Sequence, residues 1–269
     1  MKTRLAYVWA AVIITVLVVS NSPAQQTWFW QNPLPKGNHL RAVRMVNPNL
    51  LYTVGDLGTI MKSTNGGATW IVQNSRTATN LYGVWFIDEN TGVAVGDTGT
   101  VLRTTNGGTI WLQQPVGTNN ALYGVAFVNQ TTGTIVGDAG TIFRTTDGGH
   151  NWAVQYGAPA NALNAVSFDD PNNGTITGSF GTILRTTNGG AAWKRQVTGT
   201  DSSLYGASFP DANTGTAVGE LGTILHTTDG GNTWIVQPSG TRNRLSTVSF
   251  SDATTGTIGG DNGIILHTT

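Results

Sequence analysis

The sequence contains no cysteine. Disulfide scaffolds, thiol nucleophiles and thiolate metal sites are therefore excluded. Glutamate occurs only at Glu89 and Glu220, lysine at four positions, and charged residues make up 10% of the 269. Glu and Lys dominate helix surfaces, so a mostly helical protein is excluded as well. No run of like charge exists, which removes acidic or basic tails. The four histidines (His39, His150, His226, His267) stand in no HxH or HExxH spacing, an argument against a histidine-rich metal site. No metal and no cofactor is expected. The 36 glycines and 42 threonines are the abundant residues instead, and they suit turns and strands.

Long apolar runs are also scarce. The longest extends from Leu5 to Val19, after Lys2 and Arg4 and ahead of Ser22-Pro23-Ala24. It falls short of the roughly 20 residues that cross a bilayer. The pattern predicts a cleaved signal over residues 1–24, an exported chain with no membrane span, and one domain over 25–269. Secreted, periplasmic and cell-surface locations all fit. Loss of Lys2 and Arg4 leaves a net charge near −2, which argues against general nucleic-acid binding.

A 41-residue period governs the rest. Trp70, Trp111, Trp152, Trp193 and Trp234 obey it, as do leucines from Leu40 to Leu245 and glycines from Gly55 to Gly260. Each unit holds four short strand signals, a to d. In the second unit, a is 81–88, b is 91–97, c is 99–105, and d starts at Trp111. Four strands per period match a propeller blade. Trp28-Phe29-Trp30-Gln31 reads as an orphan strand d, and the sixth unit stops after its strand c. The expected fold is an all-β six-bladed propeller whose N-terminal strand pairs with Ile264–His267. The alternative is a truncated seven-bladed ring.

The turn between c and d reads STNGGATW, TTNGGTIW, TTDGGHNW, TTNGGAAW and TTDGGNTW. Asn65, Asn106, Asp147, Asn188 and Asp229 share one position, where a side-chain oxygen can accept backbone N–H groups. Asn stands in three of the five, so charge is not required, and the turns read as structural. These turns resemble the Asp-box, or bacterial neuraminidase repeat. Together with the G-D-x-G-T turns they resemble the photosystem II assembly and stability factor family of propellers. That resemblance implies a non-enzymatic scaffold that docks other polypeptides, and usually seven blades.

Two other readings compete. One is an Asp-box glycoside hydrolase of sialidase type. It would need an arginine cluster and paired carboxylates; the acids are read as turn residues of the repeat, so no catalytic residue is assigned. The other is a structural module of a larger surface protein. Three rings recur through the repeat. The b–c turns carry Asp56, Asp97, Asp138, Ser179, Glu220 and Asp261, read as turn caps. The ends of c carry Lys62, Arg103, Arg144, Arg185, His226 and His267. The ends of a carry Asn47, Asp88, Asn129, Asp170, Asp211 and Asp252, expected to pair with that basic ring.

Six basic residues ignore the repeat: Lys36, Arg41, Arg44, Arg76, Arg242 and Arg244. The d–a connections 115–121, 156–162 and 197–203 hold none. Ring closure would gather Lys36, His39, Arg41, Arg76, Arg242 and Arg244 into a basic sector. Such a sector suits a protein or peptide partner bearing carboxylates.

Overall fold

The computed structural model describes residues 38–269. They form six antiparallel sheets in chain order, and strand follows strand outward within each sheet. Five sheets have four strands. The second runs Leu81–Phe86, Gly92–Gly96, Val101–Thr104 and Leu112–Gln113. This is the β-propeller the 41-residue period predicts. The strands are two or three residues shorter than expected, and d begins just after each tryptophan.

Strand b is the core of each blade. Leu51–Gly55, Gly92–Gly96, Gly133–Gly137, Gly174–Gly178 and Gly215–Gly219 are buried along their whole length. Neighbours on both faces explain why these strands are not alternating but continuously apolar or small. The glycine that opens b is fixed by contact: a Cβ on Gly92 would lie 2.7 Å from the ring of Phe86. Phe86 in turn meets Trp111 edge-on, with centroids 5.9 Å apart at 89°. The same Phe–Trp pair recurs as Phe127–Trp152, Phe168–Trp193 and Phe209–Trp234.

Successive inner strands pack side by side from Leu40–Met45 through to Leu245–Phe250. Side chains of strands b and c add polar bonds to the apolar contact between neighbouring blades. Lys62 Nζ and Tyr52 Oη both donate to the Gly107 carbonyl at 2.9 Å. Arg103 Nε donates to the Gly148 carbonyl at 2.9 Å. The basic ring therefore does not pair with the acids at the ends of strand a. Asp88, Asp170, Asp211 and Asp252 accept backbone N–H groups two and three residues on, within their own a–b turns. A short Asx turn satisfies the carboxylate before a cation reaches it.

One basic residue departs from this scheme. Arg185 is 5% exposed and pairs at 2.7 Å with Asp169, also 5% exposed. It donates further to Thr175 and the Ala212 carbonyl and lies 4.0 Å from the Phe209 ring centroid. Burial pushes the Asp169 carboxyl up to about 6, outweighing its bond to Arg185.

The sixth sheet has three strands among the described residues: Leu245–Phe250, Gly256–Gly260 and Ile265–Thr268. Ile265 is 75% exposed at its edge. On the first sheet, Val43 and Met45 of the inner strand are 66% and 59% exposed. The described residues thus do not close the ring. The expected closing segment, Phe29-Trp30-Gln31, lies outside them, as does the expected signal at 1–24.

Replacing Arg185 by Ala strands a buried carboxylate and is expected to cost about 3–5 kcal/mol. Arg103→Ala, which loses one bond to a carbonyl, is expected to cost about 1 kcal/mol. Urea unfolding of the two variants measures the difference. Equal small losses would refute the special standing of the Arg185–Asp169 pair.

Candidate functional site

The c–d turns follow one hydrogen-bond scheme. Thr104 Oγ1 accepts the Gly108 N–H at 3.0 Å and donates to Asn106 Oδ1 at 3.0 Å. That Oδ1 also accepts the Ile110 N–H at 2.9 Å. Asn65, Asp147, Asn188 and Asp229 repeat the scheme. Hydrogen bonds from Thr233 and Thr227 hold the Asp229 carboxyl down at about 2. For Asp147 burial works against ionisation, but bonds from Asn151 and Thr145 outweigh it, again giving about 2. These turns leave no acid free for proton transfer, and Trp111, Trp152, Trp193 and Trp234 face inward onto the strand-a rings.

The opposite end of the blades carries the b–c turns and the d–a connections, locked together by backbone. Asp97 N–H donates to the Asn80 carbonyl and Gly99 N–H to the Asn120 carbonyl. The first four turns are thus clamped between the connection before and the connection after, while the turns at Glu220 and Asp261 bond the preceding one. Its middle residue is forced left-handed: Leu57, Thr98, Ala139, Phe180, Leu221 and Asn262 have φ between 51° and 57°. The turn acids do not cap with their side chains. The cap is the main-chain carbonyl, as in Thr100 N–H to Asp97 O at 3.0 Å.

The freed carboxylates meet a girdle of side chains that the sequence reading missed. Every strand a has a β-bulge near its start. The residues skipped by the pairing are Arg41, Tyr82, Tyr123, Asn164, Tyr205 and Ser246. A bulge re-aims its unpaired residue. Arg41 bonds Asp56 at 2.8 and 3.3 Å. Tyr205 Oη donates to Glu220 at 2.6 Å. Tyr82 and Tyr123 stack edge-on at 5.3 Å. Burial first, and then hydrogen bonding to Asp138, pushes Tyr123 up to about 12. The available signal was three tyrosines at 41-residue spacing, in register with Arg41.

The basic sector expected from the sequence is only partly assembled. Arg41 is neutralised by Asp56, and Arg244 lies 3.7 Å from Asp261 and over the Tyr205 ring at 4.7 Å. Arg44 packs 3.5 Å from the Trp85 ring centroid, further down its strand, and burial lowers its pKa. His39 is exposed, with its carbonyl bonded to Asp56 N–H. Lys36 lies outside the described residues. Arg76 and Arg242 are exposed. Between the Arg41–Arg76 group and the Arg242–Arg244 group, no ion pair or ring contact forms among the described residues.

Arg76 stands apart in its backbone. It has φ 60°, where the equivalent positions are Gly117, Gly199 and Gly240 and the third connection has Gly157 one residue earlier. A side chain here costs about 1 kcal/mol against glycine.

The architecture and this face define a class: a repeat β-propeller whose variable residues lie on the loops at one end, with regular turns at the other. The chain belongs to the photosynthesis system II assembly factor YCF48 family, whose model matches residues 4–105, 106–198 and 193–269. No curated protein matches it. Among solved structures it is similar to YCF48 bound to D1 peptide, at 19% identity and TM-score 0.50 over 88% of this chain and 93% of that one. YCF48 from Cyanidioschyzon merolae matches at 17% identity and TM-score 0.57, over 88% and 97%. A glycoside hydrolase of Niastella koreensis, GH74, matches at 16% identity and TM-score 0.69; 84% of this chain covers 44% of it. At such identities these likenesses establish the fold. No helix of the described residues is long and apolar enough to cross a membrane.

The lowered carboxyls carry a pH prediction. A group held below its unfolded value stabilises the fold above about pH 4 and loses that contribution as pH falls through about 2. Replacing both Asp147 and Asp229 with Asn, as three turns already have, should lessen the fall in melting temperature between pH 4 and pH 2. An unchanged fall would show that these hydrogen bonds do not favour the ionised form.

Proposed function

We propose that this protein is an exported, non-enzymatic scaffold that captures other polypeptides through the face bearing the d–a connections. Family membership supports the assembly-factor part of this reading, and a peptide-bound relative gives it a precedent. The observation that carries it is Arg76. Three of the other four connections supply glycine at that position and the fourth one residue earlier, and an exposed arginine in a left-handed backbone gives the fold nothing in return. Arginine grips carboxylates through two parallel hydrogen bonds, which fits an acidic partner. Arg242 and Arg244 add charge from the connection into the sixth blade.

The triple variant Arg76→Gly, Arg242→Ser, Arg244→Ser is expected to keep its melting temperature within a few degrees or raise it. It is expected to lose capture of the partners that the parent chain pulls from extracts of its own cells. Capture of the same partners by the variant would move the docking surface elsewhere.

The hydrolase reading has less support. Glu220 is engaged by Tyr205, and Asp261 faces Arg244. Sialosides and β-glucans are therefore expected to pass unhydrolysed. Turnover above background that vanishes in Glu220→Gln or Asp261→Asn would reverse this reading.

A further inference from the structure

The face bearing the d–a connections has a second half, rich in exposed apolar side chains. Around it, turns and connections alternate in a fixed order set by the backbone clamps. Gly140 N–H donates to Asn161 O, Ser179 N–H to Ala162 O, Gly181 N–H to Ser202 O, and Glu220 N–H to Ser203 O. The connection 156–162, the blade-four turn, the connection 197–203 and the blade-five turn are therefore consecutive neighbours. Each presents one large apolar side chain to solvent: Tyr156 at 92% exposure, Phe180 at 65%, Val197 at 83% and Leu221 at 72%.

Nothing in the fold calls for this. Phe180 and Leu221 hold φ of 53° and 54°, at a position that Leu57, Thr98, Ala139 and Asn262 also fill; Leu57, 61% exposed, is the other large apolar residue there but stands away from this row. A bulky apolar group there is both strained and hydrated. Blade four is also the one whose turn has Ser179 in place of an acid. Between Phe180 and the next connection lies a hollow of about 480 Å³, lined by Arg195, Val197, Thr198 and Asp201 among others. Beyond Leu221, the next element in the row is the connection that carries Arg242 and Arg244, clamped where Gly222 abuts the Thr241 carbonyl.

From this row we infer that the face binds an extended peptide segment that is apolar along one part and acidic at the end that follows. Its apolar side chains lie on Tyr156, Phe180, Val197 and Leu221, one of them in the hollow, and its carboxylates lie against Arg242 and Arg244. This rests on the docking reading above and specifies the partner. Charge complementarity favours a polypeptide over a lipid surface. Asp201 and Glu220 are interleaved with the apolar groups and repel anionic headgroups, whereas backbone N–H groups of a peptide can use them.

The test uses fluorescent 12-residue peptides with a Leu/Phe half and an Asp-rich half, beside versions with Lys for Asp and with Ser for Leu/Phe. Anisotropy titrations follow the full chain and two variants. Phe180→Asn with Leu221→Asn places at both turns the residue that Asn262 already provides, so the fold is kept. Arg242→Ser with Arg244→Ser removes the charge. The inference expects the acidic–apolar peptide to bind at least tenfold tighter than either control. It expects the Asn variant to weaken binding about tenfold at every salt concentration, and the Ser variant to weaken it mainly at low salt. If the Ser variant loses binding and the Asn variant does not, the apolar half is refuted while docking through the arginines survives. If no peptide binds, or if only phosphatidylglycerol vesicles do, the peptide reading of this face falls altogether.

Discussion

One hydroxyl organises each blade. Thr104 and its counterparts Ser63, Thr145, Thr186 and Thr227 accept the N–H of the second glycine and steady the Asn or Asp beside it. The turn so formed has two outputs. Inside blades two to five it delivers a tryptophan edge-on to the strand-a phenylalanine. Between blades it presents a glycine carbonyl to the cation that ends strand c of the blade before. Gly107 receives Lys62 and Tyr52 in this way, and Gly148 receives Arg103. A local hydrogen bond of about 1 kcal/mol thereby positions groups whose burial contributes several times more.

The period made the fold legible. Side chains at 41-residue spacing told of blades, and the small residues of strand b told of close neighbours on both sides. What the sequence reading misassigned were the pairings, because pairing depends on which partner is nearest. Asp88 and Asp170 found backbone N–H groups two residues away, sooner than any cation. Asp169, one residue before a repeated acid and unlike its counterparts Ile87 and Val128, became the true partner of Arg185. Spacing cannot reveal a contact made at a single non-repeating position.

The face of the d–a connections shows the same limit from the other side. Its basic residues were visible because they break the repeat, yet two of them meet turn acids at 2.8 and 3.7 Å. Those acids had been read as caps. The bulge at the start of each strand a, which turns Tyr82, Tyr123 and Tyr205 toward them, left only the register of those tyrosines as its mark in the sequence. Departures from the repeat therefore mark out the end that carries the d–a connections, while the geometry decides which charges stay available there.

The c–d turns also bear on how the molecule ages. Three of them contain Asn followed by Gly: Asn65-Gly66, Asn106-Gly107 and Asn188-Gly189. In a free chain this pair deamidates readily, because the glycine nitrogen attacks the asparagine carbonyl. Here that nitrogen is occupied: Gly66 N–H donates to Asn49 O, Gly107 to Asn90 O and Gly189 to Asn172 O, at 3.0, 2.9 and 2.8 Å. The same bonds that shape the blade thus restrain its slow chemistry. Where a turn does convert to aspartate, the product is the residue already present at Asp147 and Asp229, and the conformation has room for it.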